Sequence, residues 1–221
     1  MRWGSLGVCG FVALLVAACA TPKHVAQPLP PSAPSSVAGL AAAIQANADR
    51  SEHEQDGSKR AQLADEALSY ADACMAKDPH AAGCLYGRGL ALGLQARSNP
   101  THFNALLKSM LESLQGADAA DPTYDNAGPA RVRAQVLLNA PGWPVGPGDA
   151  DAGLAAARRA VELRPQYPPN LLTLAQAQAK NDDAKGARET YSRALEVAQG
   201  LPPGDSRDGW IRQADQGLQR Q

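Results

Sequence analysis

A chain of 221 residues is long enough to bury one sizeable core. Its formal net charge of −1 comes without any long basic run, which argues against a nucleic-acid partner. Abundant Ala, Leu, Gln and Arg, with only 5% aromatic residues, favour helix over strand.

The first element is a leader. Arg2 precedes an apolar run from about Val8 to Val16, too short to span a bilayer comfortably and of the length of a signal-peptide core. The run ends in Val16-Ala17-Ala18-Cys19. Small residues before a cysteine resemble the lipobox of bacterial lipoproteins, whose cysteine sulfur is acylated. Residues 1–18 are therefore expected to be removed and Cys19 to carry the lipid. Ala20, rather than Asp, follows the cysteine, which in such lipoproteins favours the periplasmic side of the outer membrane. Residues 19–36 follow as a tether. Pro22, Pro28, Pro30, Pro31 and Pro34 oppose regular helix, and Ala20 to Ser36 would reach roughly 50 Å as polyproline II.

From Val37 the pattern turns helical and repeats. Gly153, Ala157 and Ala160 recur as Ala187, Tyr191 and Ala194, each 34 residues on. Pro79, Pro122 and Pro165 are spaced by 43. Periods of this size mark a solenoid of helical hairpins, and the small residues Ala67, Ala71 and Cys74 share one helix face. The pattern resembles the tetratricopeptide repeat. It predicts an all-α fold, a tetratricopeptide-like solenoid of about four hairpins over 37–204, with a capping helix in 205–221. The expected helices are 37–49 with 59–77, 81–95 with 101–117, 129–139 with 149–163, and 168–180 with 183–198. The nine residues by which 43 exceeds 34 are assigned to elongated turns at 50–58, 96–102 and 141–149.

Cys9 departs with the leader, so Cys74 and Cys84 remain as a pair, five residues before and after Pro79. Two antiparallel helices joined at Pro79 would bring them level, which predicts a structural disulfide, with two buried thiols as the alternative. Catalytic patterns are missing. His24, His53, His80 and His102 are scattered, and neither HExxH nor a paired-cysteine metal spacing occurs. Glu52, His53, Glu54 and Asp56 read as a solvated turn. Gly87 and Gly89 read as close-packing positions between helices. No metal, cofactor or enzymatic activity is expected.

The concave face of such a stack exposes the first helix of each hairpin. Tyr86, Leu90 and Leu94 are expected to line it in one repeat, and Leu172 and Gln176 in another. Farther along, Asp125 or Asn126 can cap a helix with Pro129 in its early turn. The loop Gly142-Trp143-Pro144-Val145-Gly146-Pro147-Gly148 follows that helix. Its tryptophan either packs onto the preceding helices or offers an anchor to a partner.

The start Asp121-Pro122-Thr123-Tyr124-Asp125, the Gly-Pro-x-Arg at 128–131, the Ala-Pro-Gly-Trp-Pro at 140–144, Gly148-Asp149 and the following AVELRPQYPPNLLTLA resemble the T-component lipoproteins of TRAP transporters. The resemblance covers about 120–198 and, more weakly, 67–118, in a chain short for that family. It implies a lipid-anchored helical-repeat protein that docks a periplasmic solute-binding protein, and a homo-oligomer with an internal channel. It further places Trp143, Arg131 and Arg133 on the docking or ligand-facing surface. A scaffold lipoprotein for outer-membrane or secretion-system assembly is the competing expectation.

Overall fold

The computed structural model describes residues 28–220; the leader, Cys19 and His24 lie outside the described residues. The regular structure of the described residues is all-helical. Among the described residues the chain forms α1 (Val37–His53), α2 (Gly57–Lys77), α3 (Ala82–Ser98), α4 (Phe103–Ala120), α5 (Tyr124–Asn139), α6 (Ala150–Leu163), α7 (Pro168–Lys180), α8 (Ala184–Gln199) and α9 (Asp205–Arg220), with no strand.

Local chemistry sets the helix boundaries. Ser36, Asp56, Asp149 and Asp183 each accept a hydrogen bond from a backbone N–H in the first turn of the helix that follows, satisfying donors that the helix itself leaves unpaired. The three spaced prolines act at the other end. A residue before proline is pushed out of the helical region. Asp78, Asp121 and Arg164 accordingly have φ of −149°, −152° and −141°, and α2, α4 and α6 each stop one residue earlier.

Packing separates the helices into two rows. Each helix packs against its neighbours in sequence, and the odd-numbered helices also touch in series, α1 to α3 to α5 to α7 to α9. The even-numbered helices α2, α4, α6 and α8 make no such contact with one another. Chain reversal at every connection puts the starts of the odd helices along one edge of the stack and their finishes along the other. Small residues let the rows approach. A Cβ at Gly87 would lie 2.6 Å from the Ile44 side chain of α1, and one at Gly89 would lie 3.0 Å from Leu114 of α4. Both glycines are therefore close-packing positions. The last helix, α9, lies on α7 and α8, with Ala214 in the core formed by Leu171, Leu172, Ala175 and Tyr191.

Two of the three elongated turns are absent. Helix α1 runs on through Arg50–His53, where Ser51 is buried, and α2 begins at Gly57 because Asp56 caps it. The polar run 50–58 is thus mainly solvated helix surface around a three-residue turn. Helix α3 likewise extends to Ser98, leaving Asn99 and one 3-10 turn, Pro100–His102, before α4. In these two hairpins the extra residues of the 43-residue period lengthen helices. At 141–149 the long loop is present. Within the segment expected to be a tether, Leu29 packs against the cluster of Leu40, Cys74 and Cys84, so the chain is already held to the fold there.

Cys74 and Cys84 are joined by a disulfide across the turn at Pro79, with Cα atoms 5.3 Å apart. Both are fully buried.

Candidate functional site

The row of odd helices borders a groove of about 830 Å³. Its apolar lining comes from Leu90 and Leu94 on α3, Leu107 and Met110 on α4, and Val132 and Val136 on α5. Polar side chains border it: Gln45, Asp49 and Glu52 from α1, Gln135 from α5 and Gln176 from α7. A more polar hollow of about 700 Å³, between the ends of α1, α2 and α3, shares Glu52, Leu94 and Arg97 with it.

A polar cluster stands at the α5 side, built on an unusual stretch of backbone. Asp125, Asn126 and Ala127 have φ of 47°, 56° and 64°. Left-handed backbone costs an L-residue roughly 1–2 kcal/mol, so three in succession must be held by their surroundings. Arg131 does much of this holding. Its Nη1 donates to the carbonyls of Asp125 and Asn126 at 3.2 Å each, and its Nη2 donates to Asp125 Oδ2 at 2.9 Å. Asn170, fully buried on α7, completes the support. Its Oδ1 accepts from Arg131 Nη1 at 3.2 Å, while its Nδ2 donates to the carbonyls of Asn126 and Ala160 at 3.0 Å. These bonds tie α5, α6 and α7 together. The expected capping role of Asp125 or Asn126 is therefore corrected. The Asp125 carboxylate is turned away to Arg131 and Tyr86, and right-handed helix begins at Gly128. That start leaves Pro129 in the first turn, where its missing N–H is not needed.

The buried Tyr86 hydroxyl donates to Asp125 Oδ2 at 2.7 Å, and its ring meets Tyr124 edge-on at 5.5 Å. Burial pushes its phenol strongly upward; Arg131 opposes the shift and Asp125 adds to it. The Arg131 guanidinium also lies 5.2 Å from the centre of the Tyr167 ring, within cation–π range. At the α1 side, partial burial followed by the negative charges of Glu52 and Asp125 holds the Asp49 carboxyl above its usual range. Glu52 is itself 3.5 Å from Arg97, and that pair is open to solvent.

Tyr86, Leu90, Leu94, Arg131 and Gln176 all line this groove. Leu172 does not; it is 2% exposed and lies in the core cluster that also holds Leu171, Ala175, Tyr191 and Ala214. Arg133 is half-buried and outside the groove lining. Trp143 also stands apart from the groove. It is 90% exposed, so it does not pack onto the preceding helices. Asp125, Tyr167 and Asn170 are the members that sequence reasoning missed. Tyr167 and Asn170 fall within the segment that carries the family resemblance but have no role there, and Asp125 reads as a cap. Among the described residues, no three His, Cys, Asp or Glu side chains are grouped so as to hold a metal ion, and no helix is long and apolar enough to cross a membrane.

Fold and site define an all-helical protein with an open, half-apolar groove along one row of helices. No protein-family model matches the chain, and no curated protein matches it either.

Proposed function

We propose that this chain is a lipid-anchored periplasmic binding module with tetratricopeptide-like helical pairs, whose groove docks a periplasmic solute-binding protein serving a TRAP-type transporter. The groove is the observation that carries the reading. It is open, presents Leu90, Val132 and Val136 beside the polar Gln135 and Gln176, and has a rigid wall in the cluster of Tyr86, Asp125, Arg131 and Asn170. An apolar floor with a few fixed polar groups is the composition of a recognition surface. The two-row packing and the 34-residue recurrence support the tetratricopeptide-like assignment. The small-residue run before Cys19 supports the anchor. The residues around Asp121–Asp125 and Ala140–Pro144 support the T-component assignment.

The test is crosslinking in intact cells followed by mass spectrometry, on the native chain and on Leu90→Glu, which puts a charge on the groove floor. The reading expects a solute-binding protein to be crosslinked to the native chain and lost from the variant, with the variant's melting temperature checked in parallel. Recovery of outer-membrane assembly or secretion components would favour the scaffold reading instead. Undiminished crosslinking by a folded Leu90→Glu protein would remove the groove from the interaction.

A further inference from the structure

Trp143 and Val145, at 90% and 63% exposure, are the large apolar side chains left exposed among the described residues. They share one loop, between α5 and α6. From Pro141 to Gly148 that loop carries no charged side chain. Its shape is fixed from within. Gly148 N–H donates to the Pro141 carbonyl at 2.8 Å, and Val145 and Gly146 N–H both donate to the Gly142 carbonyl at 3.0 Å. The Asn104 side-chain amide on α4 donates to the Val145 carbonyl. The loop is a stiff, uncharged tip that holds an indole in water.

We infer that this tip enters the lipid headgroup region of the bilayer that carries the chain's own anchor. The inference rests on the lipid-anchored reading for its geometry. A protein partner would need a pocket for the indole and a surrounding rim to exclude water and fix register. The loop's own residues around Trp143 are Gly, Pro and Val, and the Asn104 amide beside them is already engaged with the Val145 carbonyl, so the loop itself supplies no charged or polar side chain for such a rim. A lipid interface needs no complementary pocket, and tryptophan favours it because the ring is apolar while its N–H stays among polar headgroups.

The length of the tether permits this orientation. Leu29 is held at the edge where α1 begins, whereas the Trp143 loop follows α5, midway along the row of helices, and lies at the opposite edge. Residues 20–27 would span about 25 Å if extended at about 3.1 Å each. Helix α1, with 17 residues, is about 25 Å long. An anchor at Cys19 therefore comes level with the far end of α1 only if these residues run fully extended, which places the anchored surface close against that edge. Confinement by the anchor raises the effective concentration of the tip at that surface, so a weak insertion suffices.

The test uses the full chain processed in its own host and reconstituted into phosphatidylcholine vesicles, with and without lipids brominated along the acyl chain. Trp210→Phe leaves Trp143 as the reporter once the leader, which contains Trp3, is removed. Should that variant fold poorly, the difference between the native chain and Trp143→Phe isolates the same signal. Insertion predicts a blue-shifted Trp143 emission that brominated lipid quenches, with Trp210 unquenched in Trp143→Phe. A vesicle-bound chain whose Trp143 emission remains at the solvent-exposed wavelength and unquenched overturns the inference. So does a blue shift seen only when a partner protein is added, which makes the tip a protein contact. Acyl mass at Cys19 is measured separately. If none is present, the anchor reading fails and takes the inference with it, whereas an acylated, vesicle-bound chain with unquenched Trp143 overturns the tip alone.

Discussion

The Tyr86 hydroxyl supplies one of the donors to the Asp125 carboxylate, and Arg131 Nη2 supplies another. Tyr86→Phe removes the first without changing the ring. A hydrogen bond to a charged group contributes about 1.5–3 kcal/mol, and the lower end applies because the Asp125 side chain is 31% exposed. A urea titration at neutral pH should register that loss. The same residue sets a pH dependence. Burial raises the phenol of Tyr86 in the folded state, and burial also raises Tyr124, Tyr167 and Tyr191. A raised folded-state pKa means that the unfolded chain loses the proton first. This contribution to stability is full below the ordinary tyrosine value near 10 and declines as pH rises above it. Stability should therefore fall on the alkaline side, and Tyr86→Phe should flatten that fall. An alkaline slope unchanged in the variant would show that Tyr86 does not contribute to it.

The loop between α5 and α6 allows a sharp prediction about an element. Had Trp143 plugged a hairpin, its truncation would cost roughly 3–5 kcal/mol. Because the ring is 90% exposed, Trp143→Ala should change stability by no more than about 0.5 kcal/mol. A thermal melt distinguishes the two values easily. Sequence pattern revealed this element well, since Pro141, Pro144 and Pro147 interrupt any helical periodicity. It revealed the ends of α2 and α6 for the same reason, since proline acts on its neighbour whatever the tertiary context, whereas α4 runs three residues beyond the expected 117, to Ala120. The turns at 50–58 and 96–102 were misread because polarity does not distinguish a loop from the solvated side of a long helix. The left-handed stretch at Asp125–Ala127 was hidden for another reason. Asp and Asn suit both a helix cap and left-handed backbone, and Ala127 signals neither. What selects the outcome is Arg131 together with Asn170, which lies 39 residues farther along. Half of the candidate site was legible, since Tyr86, Leu90 and Leu94 follow from helical periodicity. Leu172 was not, because its periodicity is that of a groove residue, whereas the fold places it in a core shared by α7, α8 and α9.

Across the molecule, stability is distributed along the stack. Contacts run between near neighbours, so a local change should remain local. The disulfide between Cys74 and Cys84 closes a short loop, worth about 2.5 kcal/mol in the chain-entropy model. Reduction should accordingly speed amide exchange in α2 and α3, while amides of α7 and α8 keep their rates. Equal acceleration throughout would mean that the stack unfolds as a single unit.

The near-neighbour contact pattern also governs how fast the chain folds. Among the described residues, no helix packs against one more than two places away in the sequence, so few long loops must close before contacts form. Helical proteins with such local contacts fold in roughly microseconds to milliseconds. On the exported reading this speed becomes a hazard in the cell, because α1 and α2 can pair once both have been synthesised. Passage across the inner membrane as an extended chain would then be a race between the leader and the first hairpin.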